Sequence, residues 1–195
     1  MAIHRDEVGQ FLSRAAAGGH PAAEVEEDSA GSVVAAGASA EGARDRAGDK
    51  MRTREFLSKL EHARIVQAIR EAESKTSSEI RVLIQRGKFK SDPLVAAQKQ
   101  FCRLGMHKTR EHNAVLIFVA PRVHKFAVIG DEAIHNKCGD EFWQPIVEGI
   151  RTRFRSEKYS DALVEAIHEI AAVLASDFPK TREDTNELPD DVIEH

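Results

Sequence analysis

The sequence is poor in residues that staple or stiffen a chain: two cysteines, six prolines, one tryptophan and one tyrosine among 195 residues. Cys102 and Cys138 are too few for a disulfide framework and lack the paired spacing of a zinc site, so both read as plain buried thiols. Long apolar runs are missing as well. The longest, Ala114 to Ala120, has seven residues, against the roughly 18 to 20 that a bilayer-spanning helix needs. The opening residues Met1-Ala2-Ile3-His4-Arg5-Asp6-Glu7 carry acids where a secretion signal needs a basic start and an apolar core. Together these features predict a cytoplasmic protein with no membrane span. What is present, 42% hydrophobic and 31% charged, is the composition of one globular domain of ordinary size.

Residues 1–50 hold 13 Ala and 7 Gly but only eight of the Val, Ile, Leu, Met and Phe class. They cannot bury enough apolar surface to offset chain entropy, which predicts a disordered extension. The periodic sequence starts abruptly at Met51, an alternative start of translation. The extension carries 5 basic and 9 acidic residues, leaving 23 of each sign in residues 51–195. A formally neutral folded part lacks the basic surface that displaces counterions, which excludes nucleic acid as the expected partner.

Apolar residues recur at helical spacing from Thr53 to Glu73, until Thr76-Ser77-Ser78 ends the pattern. Ile80, Val82 and Ile84 then alternate with charged and apolar neighbours, predicting a first strand over Glu79 to Gln85. Asp92-Pro93 reads as a cap followed by an N1 proline, opening a second helix that ends at Gly105. Asn113 to Ala120 is the continuous apolar run of a strand covered on both faces. After the turn Pro121-Arg122-Val123-His124, Lys125 to Ile129 form a third, antiparallel strand halted by Gly130. Two long helices close the domain, one with Trp143, Ile146, Val147, Ile150 and Phe154 inward, the other with Leu163, Ile167, Ile170, Leu174 and Phe178 inward. Three strands and four helices in this order predict an α/β domain, a three-layer α/β/α sandwich over residues 51–179. Residues 180–195 are expected to be a polar, acidic tail that hangs loose or packs marginally.

Four stretches carry a resemblance to a known family: Thr76-Ser77-Ser78-Glu79-Ile80-Arg81-Val82, Asn113-Ala114-Val115-Leu116-Ile117, Ala127-Val128-Ile129-Gly130, and Phe154 to Tyr159 before Ala162-Leu163. In this order and spacing, residues 52–179 resemble the TPM domain family, in a soluble bacterial form. The family's Gly after the central Asn is Ala114 here, and its Gly-x-Gly-x-Glu reads Gly130-Asp131-Glu132-Ala133-Ile134. The family's acid before the next helix is matched by Asp140 after a one-residue shift. The resemblance implies a Rossmann-like fold with a small mixed sheet, binding of Ca²⁺ or a related divalent ion, and weak acid phosphatase activity.

Topology supplies a site of its own. A helix joins the first and central strands, so they run parallel through a right-handed crossover, and the third strand runs back. Glu79, Asn113, Asp131 and Glu132 then fall along one edge of the sheet, and Asp140 is near enough in sequence to return to it. Such a gathering of carboxylates and an amide suits a hard cation, Ca²⁺ or Mg²⁺. A plainer role competes at each position: Asp131 and Glu132 as helix caps, Glu79 as an acid solvated or paired with Arg81, Asp140 as an N-cap. The opposite edge collects Arg86, Lys88, Lys90, Arg122, His124 and Lys125. Cation and phosphate must lie within a few ångströms of each other for metal-assisted hydrolysis, and this separation of charge opposes it. The expected function is a non-enzymatic module that engages another protein, with low-efficiency phosphomonoester hydrolysis as the alternative. Neither Cys102 nor Cys138 has an adjacent His supported by an acid, so neither stands out as a nucleophile.

Overall fold

A computed structural model of the chain describes residues 53–87 and 90–195. The expectations for residues 1–50, for Met51 and for Lys88 lie outside the described residues. The alternating stretch forms β1, Ile80–Ile84, and the unbroken apolar run forms β2, Val115–Ala120, with all six residues buried. A 3-10 turn over Pro121–Val123 and a left-handed His124 (φ 51°) reverse the chain into β3, Lys125–Gly130. β1 and β2 are parallel with Ile80 opposite Val115, and β3 is antiparallel to β2 with Gly130 opposite Val115. The crossover between the parallel strands carries α3, Pro93–Arg103. Its first turn is closed as Asp92 predicts, with Leu94 N–H donating to the carboxylate at 2.8 Å.

The period of two sends alternate side chains to opposite faces, and each face has its own core. On one side Ile80, Val82, Ile84, Val115, Ile117 and Val128 lie beneath α2 (His62–Glu73), α5 (Trp143–Arg155) and α6 (Tyr159–Asp177). On the other, Leu83, Leu116, Phe118, Ala127 and Ile129 meet Ala97 and Phe101 of α3. The molecule is thus the predicted α/β/α sandwich. A Cβ at Gly130 would stand 2.6 Å from the Trp143 ring, so the missing side chain is what lets α5 cross the end of β3. Among the described residues no helix is long and apolar enough to cross a membrane.

The structure departs from expectation in four places. The first helix is two, α1 (Thr53–Ser58) and α2, broken where Leu60 turns into the core and Glu61 N–H donates to Ser160 Oγ at 2.9 Å. A short α4, Glu132–Cys138, follows β3. Neither cysteine is fully buried: Cys102 is exposed because its neighbour Phe101 takes the inward position on α3, and Cys138 is half-buried. Finally, the closing residues do not hang loose. Val192–Glu194 form β4, parallel to β1, giving the sheet order β3-β2-β1-β4. Val192 and Ile193 pack against the two opposite cores, which gives this acidic segment its apolar hold.

Candidate functional site

The sheet ladder continues one residue past its strands at the edge singled out by the topology. Val115 N–H donates to Glu79 O at 2.7 Å, and Asp131 N–H donates to Ala114 O at 2.9 Å. Glu79, Ala114 and Asp131 therefore occupy one row on three adjacent strands, with β2 between the two acids. Two strand spacings, about 10 Å, separate their backbones. The edge is shared as expected, yet each acid is engaged in its own way.

Asp131 precedes the first residue of α4 and its Oδ1 accepts Glu132 N–H at 2.9 Å, so the capping role is real. Its residue is 1% exposed and its Oδ2 is buried without a hydrogen-bond partner among the described residues. The nearest cation-forming group is His112, whose Nδ1 lies 3.6 Å from Oδ2. Burial pushes the Asp131 carboxyl above its usual range, while Glu132 N–H, His112 and His107 pull it back. Glu132 itself is exposed, and Asp140 opens the 3-10 turn Asp140–Phe142. Phe142, with no side-chain cap, is the residue before α5.

His112 is a residue that the sequence did not single out. It sits in the loop before β2 with φ 50°, a left-handed conformation rare outside glycine and a signal of a constrained loop. Its carbonyl accepts Ala133 N–H at 3.1 Å, which ties the loop to α4 and sets the ring beside Asp131. Asn113, the amide expected in the cluster, faces elsewhere: its Nδ2 donates to Ser77 Oγ at 3.1 Å and to Glu111 Oε2 at 3.2 Å. Ser77 Oγ in turn donates to Glu111 Oε2 at 2.6 Å.

Glu79 is 5% exposed and is occupied by the C-terminal segment, its Oε1 accepting Glu187 N–H at 2.9 Å and its Oε2 accepting Leu188 N–H at 3.2 Å. Burial raises its pKa against those two donors. Behind it lies a second acid that the sequence hid inside a helix. Glu73 Oε1 accepts Ile80 N–H at 2.9 Å, and burial, with Asp190 and Glu79 nearby, pushes the Glu73 carboxyl up to about 9.

The expected separation of charge holds only in part. Arg122, His124 and Lys125 do sit at the far end of the sheet, where Ala120 pairs with Lys125. The near edge, however, also holds cations. Arg110 Nη2 lies 2.7 Å from Asp184 and 3.7 Å from Glu111, because the loop before β2 meets the returning C-terminal segment there. Among the described residues no group of three or more His, Cys, Asp or Glu side chains is placed to hold a metal ion. The donor chemistry at Asp131 is that of one available carboxylate oxygen, an imidazole alongside, and an exposed acid next in the chain.

Comparison with known proteins follows the fold. The family profile described as TPM domain matches residues 51–173. Among solved structures, the chain is similar to the NMR structure of BA42 protein from the psychrophilic bacterium Bizionia argentinensis, with TM-score 0.65 and 31% identity, over 77% of this chain and 100% of that one. No curated protein matches.

Proposed function

The chain belongs to the TPM domain family, and from that membership we propose a non-enzymatic module that engages another protein and takes a divalent cation at Asp131. The observation that carries this reading is Asp131 Oδ2, a buried carboxylate oxygen without a hydrogen bond among the described residues. Such a group costs about 1–3 kcal/mol relative to a satisfied one, and a hard cation offsets that cost by direct coordination. Mg²⁺ suits the position better than Ca²⁺, since it keeps several waters and needs one or two protein carboxylates. Glu132 is the second acid proposed and Asp140 the third. Glu79 comes last, because both its oxygens already accept backbone N–H groups.

A specific observation favours the second reading, slow phosphomonoester hydrolysis. His112, with its side chain 54% exposed, stands against a buried Asp131, a pairing in which the carboxylate orients an imidazole for proton transfer. The two readings part in one pair of measurements. Calorimetric titration with Mg²⁺ should give binding heat for the wild type and none for Asp131→Asn, while hydrolysis of p-nitrophenyl phosphate stays at background in both. Turnover that Asp131→Asn and His112→Ala each abolish would replace the module with a phosphatase. Absence of heat at millimolar metal would remove the cation.

A further inference from the structure

The outer edge of β1 is filled by the chain's own last residues. Val82, Leu83 and Ile84 face Val192, Ile193 and Glu194 in parallel register, and His195 N–H donates to Ile84 O at 3.0 Å. Glu79 receives the N–H groups of Glu187 and Leu188. Around this ladder the charges are complementary. Residues 181–195 carry Glu183, Asp184, Glu187, Asp190, Asp191 and Glu194 against a lone Arg182. The receiving surface sets Arg70 at 3.5 Å from Asp190, Arg86 at 3.3 Å from Glu194 and Arg110 at 2.7 Å from Asp184. Arg81, whose side chain is 7% exposed, pairs with Asp191. The edge therefore recognises an extended acidic peptide that carries an aliphatic pair, Val192-Ile193, within its paired stretch, entering parallel to β1.

The connection between this peptide and its own domain is short. Thr76 bridges to Pro179 and the first docked acid is Asp184, so only residues 180–183 link the two, without helix or strand, a path that spans about 13 Å when extended. We propose that the outer edge of β1 is a strand-acceptor site for the C-terminal segment of a second copy of this chain, which replaces the molecule's own segment in the same register. An exchanged segment keeps every ion pair and ladder bond from Asp184 onward and changes only the course of residues 180–183, which makes exchange a low-cost route to association. The charge set and the apolar pair at the edge match this sequence and so favour a second copy over an unrelated peptide. The inference concerns a surface away from Asp131 and shares only Glu79 with the residues proposed for the cation.

The test uses the full chain carrying Asp191→Ala, a change at a side chain 59% exposed, with retention of fold checked by circular dichroism. Losing Asp191 leaves the nearly buried Arg81 guanidinium short of its carboxylate, so a segment that supplies one has an advantage. A fluorescein-labelled peptide of residues 181–195 is titrated with each chain and followed by anisotropy. It is expected to bind the Asp191→Ala chain at least tenfold more tightly than the wild-type chain, whose own segment competes. A peptide carrying the same Asp191→Ala change should lose that gain. Failure of the wild-type peptide to bind the variant chain more tightly, or equal affinity of the two peptides for it, would overturn the proposal.

Discussion

At Gly130 the constraint is steric: a methyl group there would press on the ring of Trp143, the first residue of α5, which is itself 2% exposed. Gly130→Ala should therefore cost about 1–3 kcal/mol, as overpacking does, read as a lowered urea midpoint with an unchanged slope. Glu73 makes a different claim. Its carboxyl titrates at about 9 in the fold against 4.5 when solvated, with burial as the main cause. The fold thus favours the protonated form, so this contribution to stability is whole below pH 4.5 and is lost as pH rises towards 9. Glu79 and Asp131, both raised by burial, act in the same sense. Urea unfolding at pH 5, 7 and 8.5 should show stability falling with pH in the wild type, by up to about 1.4 kcal/mol per pH unit for one proton. Glu73→Gln, which keeps an oxygen for Ile80 N–H, should flatten that slope and be the more stable protein at pH 8.5. Asp131 was legible in the sequence because an acid after a strand and before a helix has a stereotyped place. Glu73 and His112 were not: one looks like any acid on an amphipathic helix, and the other acquires its role from a left-handed loop that only the fold imposes.

At the scale of elements, the sheet was readable wherever local pattern and burial agree. Alternation marks β1, an apolar run marks β2, and Asp92-Pro93 marks the start of α3. The misses share a cause, which is dependence on partners far away in the chain. No Gly or Pro marks the break between α1 and α2; it exists because Ser160, on α6, accepts Glu61 N–H. Ser160→Ala should leave that N–H unsatisfied and cost about 1 kcal/mol, and hydrogen exchange should show faster opening at residues 60–62. β4 escaped notice for the same reason. Three residues among acids make no strand signal alone, and the edge of β1 with its arginines supplies what the local sequence lacks. The same distant acids and bases account for the mixed charge at the near edge, where the sequence placed carboxylates and an amide but no cation.

Over the whole molecule, two unequal helical layers enclose a small mixed sheet, and the topology alone fixes which loops meet at each end. That is why the neighbourhood of the site could be placed from the order of elements, while the orientation of each carboxylate could not. Glu79 and Asp131 share a row, but one holds the C-terminal segment and the other caps α4 with an oxygen to spare. The position of that spare oxygen is most directly examined by following backbone amide shifts in ¹⁵N-labelled protein during titration with Mg²⁺. Shifts should concentrate at residues 111–113 and 130–134, saturate with added metal, and vanish in Asp131→Asn. An unperturbed spectrum at millimolar Mg²⁺, or shifts centred on Glu73 and Asp190 instead, would contradict a cation at Asp131.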